Sequence, residues 1–217
     1  MKNILEIDSV ILEFSEKHIL HDIYLKIETG NVTALLGRNG SGKSCLMKII
    51  FGKLMPQEKS LRINGKYSNK KHLPIHILTY LPQFNFIPKS LTIKRIFKDY
   101  KNDFEDFLLF FPEFERYYQT KIARLSGGEQ RIIEVYSILV SRSKFCLLDE
   151  PFSQIMPLHI DSIKELIIRE KENKGILITD HLYEHIMDIC NHKYILKDGA
   201  IHLIKNNDDL KLLGYIR

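Results

Sequence analysis

The sequence is short of several things at once. Its three cysteines, Cys45, Cys146 and Cys190, lie far apart among 217 residues and form no Cys-x-x-Cys pair. That excludes a disulfide framework or a thiolate zinc site and fits a reducing compartment. Cys146 sits inside an apolar run and reads as a small core residue. No apolar run approaches the ~18 to 20 residues of a membrane span. The first residues, MKNILEIDSV, carry acids too early for a signal peptide. The chain is therefore expected in the cytosol, unless a partner holds it at a membrane. There is no basic block either. The lysines are scattered, and a net charge of +5 reads as a solvated surface rather than a nucleic-acid-binding face. Internal repeats, low-complexity tracts and obvious linkers are absent. What remains is an ordinary globular composition, 44% hydrophobic and 27% charged, of a size for one domain over 1–217.

The periodicity has two regimes. ILEIDSVILEF and HILHDIYLKIE alternate and predict two strands of an antiparallel layer, with a turn near Ser15 to Lys17. LRINGKYS holds Asn64-Gly65, a hairpin signal. By contrast NVTALLG, ILTYLPQ, KFCLLD and GILITD are short, nearly all-apolar runs, as in strands buried on both faces. Helices are expected over KSCLMKIIFG, ending at Gly52, over SGGEQRIIEVYSILVSRS, over PLHIDSIKELIIREKEN and over 182–190. HKYILKDGAIHLI reads as a closing hairpin before a short terminal helix. Strand–helix alternation implies right-handed crossovers and a parallel core sheet. Residues from 88 to about 124 differ, with helical spacing at Ile93, Ile96 and Phe97 and again at Phe104, Phe107, Leu108 and Phe111. They predict a small inserted helical subdomain, taken as 88–143 when the long helix is included.

GRNGSGKS, residues 37–44, fits G-x-x-x-x-G-K-[ST], follows a predicted strand and opens a predicted helix. Gly37, Gly40 and Gly42 allow backbone N–H groups to turn inward around phosphate oxygens, with Arg38, Asn39 and Ser41 between them. The helix N-terminus adds partial positive charge. In this motif Lys43 reaches the β and γ phosphates, and the Ser44 hydroxyl ligates Mg²⁺. The fold class expected is thus α/β: a P-loop NTPase core with a parallel sheet, an N-terminal antiparallel β layer and the helical insert. FCLLDEP ends an apolar run in two adjacent acids, and buried carboxylates are costly unless they face a cation or a partner. Asp149 is expected to face the Mg²⁺ shell, leaving Glu150 to act on an attacking water as general base. In LSGGEQ, Ser126 and Glu129 make a capping-box pattern opening the long helix. Gly127 and Gly128 are poor helix formers, so something must approach that backbone closely.

With these motifs in this order, the chain resembles the ATP-binding cassette (ABC) ATPases over nearly its whole length. GRNGSGKS, including Cys45 just after it, resembles their ATP-binding phosphate loop, LSGGE their signature and FCLLDE their metal-binding acid and catalytic glutamate. Gln83 in YLPQ is similar to the glutamine that touches Mg²⁺ and water. His181 in ITDH is similar to the histidine that contacts the γ-phosphate, and Phe14 to the aromatic that stacks on adenine. The resemblance implies ATP hydrolysis with Mg²⁺ held by Ser44, Gln83 and Asp149. It implies a head-to-tail dimer, with itself or with a similar cassette, in which Ser126, Gly127, Gly128 and Glu129 meet the other chain's ATP. It also implies separate integral membrane subunits, docked beside Phe84, Phe86, Ile87 and Leu91. ITDH and DEPF are most similar to lipopolysaccharide-exporter and branched-chain amino acid importer cassettes. No nucleic-acid partner is expected.

Three departures stand out. Cys45 occupies a usual threonine position and lacks the hydroxyl donor to the α-phosphate. Met156 replaces an aspartate that couples the two sites, and Gln154 replaces a small residue. The helical insert is short for the family. Two other functions compete with transport. One is a soluble cassette acting on ribosomes or DNA, but the chain has neither a second cassette with a charged linker nor a long coiled-coil insertion. The other is a nucleotide-dependent regulatory module with little turnover, which Cys45 and Met156 keep open.

Overall fold

The computed structural model describes residues 2–15, 17–181, 183–213 and 215. Strands β1 (Ile4–Phe14), β2 (Lys17–Glu28), β4 (Glu58–Ile63) and β5 (Lys66–Tyr67) form an antiparallel sheet in the order β2-β1-β4-β5. Strands β3 (Val32–Leu36), β6 (Leu78–Leu81), β7 (Phe145–Asp149), β8 (Gly175–Thr179), β9 (His192–Lys197) and β10 (Ala200–Ile204) form the second, in the order β10-β9-β3-β8-β7-β6. Its neighbours from β9 to β6 run parallel, and only β10 is antiparallel. Both hairpin turns have the expected chemistry. Asn64-Gly65 and Asp198-Gly199 all take positive φ, as two-residue turns of right-twisted hairpins require.

The all-apolar strands are buried along their full length, because both faces of this sheet are covered. Alternate side chains enter different cores. Leu35, Phe145 and Leu147 pack with the antiparallel sheet and with α1 (Lys43–Phe51). Ala34, Cys146 and Leu148 face the opposite core, where the helical insert contributes Ile96, Phe97, Phe107, Phe111 and Phe114. That insert contains α2 (Ile93–Tyr100) and α3 (Phe104–Leu108), followed by 3₁₀ segments at Pro112–Tyr117 and Ile122–Arg124. It belongs to the same buried cluster as β3, β7 and β8. The remaining helices are α4 (Gly127–Leu139), α5 (Ile160–Lys171), α6 (Tyr183–Met187) and α7 (Asn207–Leu212).

Three helices are shorter than their periodicity predicts. Helix α4 stops at Leu139, where the Lys174 ammonium donates to the carbonyls of Leu139 and Ser141. A cation on the last carbonyls satisfies the orphan acceptors and ends the helix. Pro157–His159 form a 3₁₀ turn ahead of α5, since proline suits a first turn and has no N–H to give. The helix expected over 182–190 is the single short α6, and Leu182 lies outside the described residues. The turn expected near Ser15 to Lys17 includes Glu16, which also lies outside them.

Asp106 fastens the insert to the core. Its oxygens accept from Arg169 Nη1 at 2.7 Å and Nη2 at 2.8 Å, and the Tyr136 hydroxyl donates to Oδ2 at 2.6 Å. One carboxylate on α3 thereby joins α4 and α5. The Arg169 hydrogen bonds hold the Asp106 carboxyl below its usual value against the opposing effect of burial. Its contribution to stability is therefore full above the ordinary carboxylate value. It is lost as pH falls through the lowered folded value. Asp106→Asn is expected to cost about 1 to 3 kcal/mol at neutral pH, the size of a hydrogen bond to a charged group. The gap to the unaltered protein should close in strong acid. Urea unfolding of both proteins across that range checks both statements.

Candidate active site

The phosphate loop leaves β3 and enters α1 through three glycines of positive φ, Gly37, Gly40 and Gly42. No side chain caps α1, and no acid lies in its first turn, so its N-terminus keeps the polarity an anion needs. Lys43 is buried, and its ammonium donates to the carbonyls of Gly37 at 2.7 Å and Arg38 at 3.1 Å. Burial pushes that ammonium below its usual value, against the pull of Glu150 and Asp149. The lysine is thus held inside the loop whose phosphates it would meet.

Asp149 ends β7, almost wholly buried, and both its oxygens are engaged. The Ser44 hydroxyl donates to Oδ1 at 3.1 Å, and the Tyr80 hydroxyl to Oδ2 at 2.9 Å. Burial raises this carboxyl above the usual range, and the two hydroxyls oppose that rise. At Glu150 the chain leaves the strand with φ 53°, so the next side chain is redirected. Its N–H donates to the Thr179 carbonyl at 2.8 Å. Gln83 Nε2 donates to Glu150 Oε2 at 2.9 Å, and His181 Nε2 lies 2.6 Å from Oε1. Both oxygens of this second acid are therefore covered by the two residues whose roles sequence had paired with it.

Lys43, Ser44, Gln83, Glu150 and His181 share one cleft of about 330 Å³ with Phe14, Ile19, Asn39, Gly40, Gly42 and Cys45; Gly37 and Asp149 do not line it, and Arg38 and Ser41 line an adjoining pocket instead. Phe14 offers an exposed ring at the cleft's rim. The lining does not include Ser126, Gly127, Gly128 or Glu129. Ser126 and Glu129 instead close a reciprocal capping box at the start of α4. The close approach that Gly127 and Gly128 allow is made within the chain by Gln154. A Cβ on Gly127 would come 2.6 Å from Gln154 Oε1, and one on Gly128 would strike the Gln154 carbonyl oxygen.

Two functional residues escaped the sequence reading. Tyr80 lies in an apolar run, and the only cue was that a buried tyrosine hydroxyl needs a partner. Arg131 is buried in α4 and donates to the carbonyls of Pro82 at 2.7 Å, Asp149 at 2.8 Å and Glu150 at 2.9 Å. Nothing in local spacing reveals that it faces three carbonyls from two other segments.

The family described as ABC transporter matches residues 20–153, more than half of the 217-residue chain. The chain belongs to the ABC transporter family. The probable branched-chain amino acid transport ATP-binding protein LivF of Archaeoglobus fulgidus is 29% identical over 204 residues, covering 87% of this chain and 86% of the relative. The lipopolysaccharide export ATP-binding protein LptB of Haemophilus influenzae is 28% identical over 217 residues, covering 92% and 89%. The zinc uptake ATP-binding protein ZurA of Listeria innocua is equally similar, at 28% over 225 residues, covering 93% and 88%. A solved ATP-binding subunit of an ABC transporter superposes with a TM-score of 0.83 at 23% identity, over 97% of this chain and 93% of that one. The fold is therefore that of an ABC cassette, and the function is that of an ATP-binding subunit powering an ABC transporter. The relatives' names span import and export, so similarity at this level does not separate cargo or direction.

Among the described residues no helix is long and apolar enough to cross a membrane, and no group of three or more His, Cys, Asp or Glu could hold a metal. Mg²⁺ takes hard oxygen donors, one or two carboxylates together with substrate phosphates. Ser44 and Asp149 supply a hard-oxygen pair. Cys45 lines the cleft, half-buried, and burial raises its thiol above the usual value, so the thiol stays a weak donor. Cys45→Thr adds a hydroxyl donor to a charged ligand, worth about 1.5 to 3 kcal/mol. ATP binding should tighten by about 10- to 100-fold, as equilibrium titration with a fluorescent ATP analogue would measure.

Proposed function

We propose that the chain hydrolyses Mg·ATP at sites shared between two cassettes, and that closure and reopening of this pair drives separate integral membrane subunits from the cytoplasmic side of the membrane. The observation that carries the reading is Glu150. It lies at the end of a buried strand with Gln83 at 2.9 Å and His181 at 2.6 Å, in the same cleft as Lys43 and Ser44. A carboxylate so placed has the position of a general base for water aimed at a phosphate in the loop.

The residues divide the work. Phe14 stacks on the adenine. The backbone of residues 37–45 and Lys43 bind the phosphates, with Arg38, Asn39 and Ser41 shaping the loop. Ser44, Gln83 and Asp149 would hold Mg²⁺, which would offset negative charge on the phosphates. Glu150 takes a proton from water, the water oxygen bonds to the γ-phosphorus, and the bond from that phosphorus to ADP oxygen breaks. Because Gln83 and His181 cover both Glu150 oxygens, one of them must yield before water can be engaged. A γ-phosphate that draws His181 to itself frees Oε1. Ser126, Gly127, Gly128 and Glu129 come from the second cassette, this chain or a similar one.

Residues 88–143 act as the helical subdomain in this scheme. Of the residues expected to meet the membrane subunits, Ile87 lines a groove with Asn85, Pro88, Ile122, Leu125 and Gln130, Phe84 is exposed, and Phe86 and Leu91 pack partly against the core; that groove is the docking place in this reading. Met156, half exposed at the position of the usual coupling aspartate, favours weak communication between the two sites, as does Cys45 for weak nucleotide binding. A regulatory module with little turnover is the reading those two residues support.

Glu150→Gln should slow phosphate release by ~10² to 10⁴, the usual size of a general-base contribution. It should leave ATP binding intact and accumulate a dimer in ATP, read by light scattering. Binding without dimerisation would rule out the shared site. No phosphate release from the unaltered protein would select the regulatory module. Multi-span proteins recovered in stoichiometric amounts with the tagged variant from detergent-solubilised membranes would identify the partner.

A further inference from the structure

The segment Pro82–Ile87 carries Gln83 in its first half and floors the docking groove with its second. One buried pair on α4 grips it at both ends. Glu134 is fully buried, and its Oε1 accepts the backbone N–H groups of Phe86 at 2.8 Å and Ile87 at 2.9 Å. Gln130 Nε2 donates to the same oxygen at 3.0 Å and to the Ile87 carbonyl at 3.2 Å. At the other end Arg131 donates to the Pro82 carbonyl, and its second nitrogen reaches the carbonyls of Asp149 and Glu150. Arg131 Nη1 and Glu134 Oε2 lie 3.6 Å apart, so the two buried charges pair electrostatically, while among the described residues Glu134 Oε2 accepts no hydrogen bond and Arg131 Nε donates none. Burial pushes the Glu134 carboxyl up, and the two backbone N–H groups, Gln130 and Arg131 act against that.

A buried ion pair is weak evidence for stability, since desolvation offsets most of its attraction. Here the pair has a second consequence. Between its two grips the chain has no freedom to slide, and that fixes where Gln83 Nε2 meets Glu150 Oε2. We propose that Glu134 is a positioning residue for hydrolysis. Through the Phe86 and Ile87 amides it makes the groove floor, Gln83 and the Asp149–Glu150 turn one rigid unit with the signature helix. The proposal rests on the ATPase reading above. It also implies that whatever docks in the groove acts on Gln83 through backbone held by this carboxylate.

The test compares Glu134→Ala and Glu134→Gln with the unaltered full chain. Three quantities are read: kcat for phosphate release, Kd for a fluorescent ATP analogue, and amide hydrogen exchange. Loss of the carboxylate should lower kcat by about 10- to 100-fold, the scale of a small misplacement of reacting groups. The ATP Kd should stay within about threefold, because Glu134 touches no residue of the phosphate loop. Exchange at the Phe86 and Ile87 amides should quicken at least about tenfold while β3 and β7 stay protected. Glutamine keeps a carbonyl oxygen for the two amides and should recover most of both effects. Full kcat despite fast exchange at Phe86 and Ile87 would overturn the proposal. So would a fall in kcat accompanied by general loss of protection in β3 and β7, which is the result of a merely structural residue. If the unaltered protein releases no phosphate, the ATPase reading fails instead. The exchange at Phe86 and Ile87 then decides by itself whether Glu134 holds the segment.

Discussion

The guanidinium of Arg131 is the contact on which the cleft depends. It is a buried cation, 1% exposed, that gathers carbonyls from the ends of β6 and β7 onto the signature helix. Two nitrogens of its planar fork serve all three carbonyls at once. Burial works against its charge, and Glu134, Asp149 and Asp180 offset that. The arrangement places a positive group directly behind two acids that must stay close together. Without it, the turn at Glu150, where φ is 53°, would lose two hydrogen bonds to its backbone carbonyls.

The two acids are separated by environment as well as by role. Asp149 is fixed by hydroxyls from the phosphate-loop helix and from β6, so it can turn only toward the loop. Glu150 is fixed by the two nitrogen-bearing side chains that close the far side of the cleft. One carboxylate is tied to elements of the sheet core, the other to loops. In the proposed reaction that difference suits a metal-side group that must not move and a water-side group whose partners must exchange.

Gln154 and Met156 alter the segment that follows. Gln154 adopts φ 64°, an uncommon conformation for a residue with a side chain, and lays its own backbone over Gly128. The signature glycines thus serve packing inside one chain before any second chain arrives. The short helical insert is likewise bound to its own core, by Asp106 and by a continuous phenylalanine cluster. Both features tie parts of the single cassette together, the signature glycines to Gln154 and the insert to the core.

Much of this was written in local sequence. The phosphate loop, the paired acids, the capping box and both hairpin turns depend on residues a few positions apart, so spacing alone declared them. The two kinds of sheet were legible for the same reason, since alternation and unbroken apolar runs report burial on one face or two. Tertiary structure decided the rest. Tyr80 on Asp149, Arg131 on three carbonyls and Glu134 on the Phe86 and Ile87 amides join residues tens of positions apart. Helix ends shifted for the same cause, because a lysine far along the chain caps α4. Local sequence determines which groups can do the chemistry. Only the folded chain, by satisfying buried polar atoms wherever partners happen to meet, decides which side chains hold those groups in place.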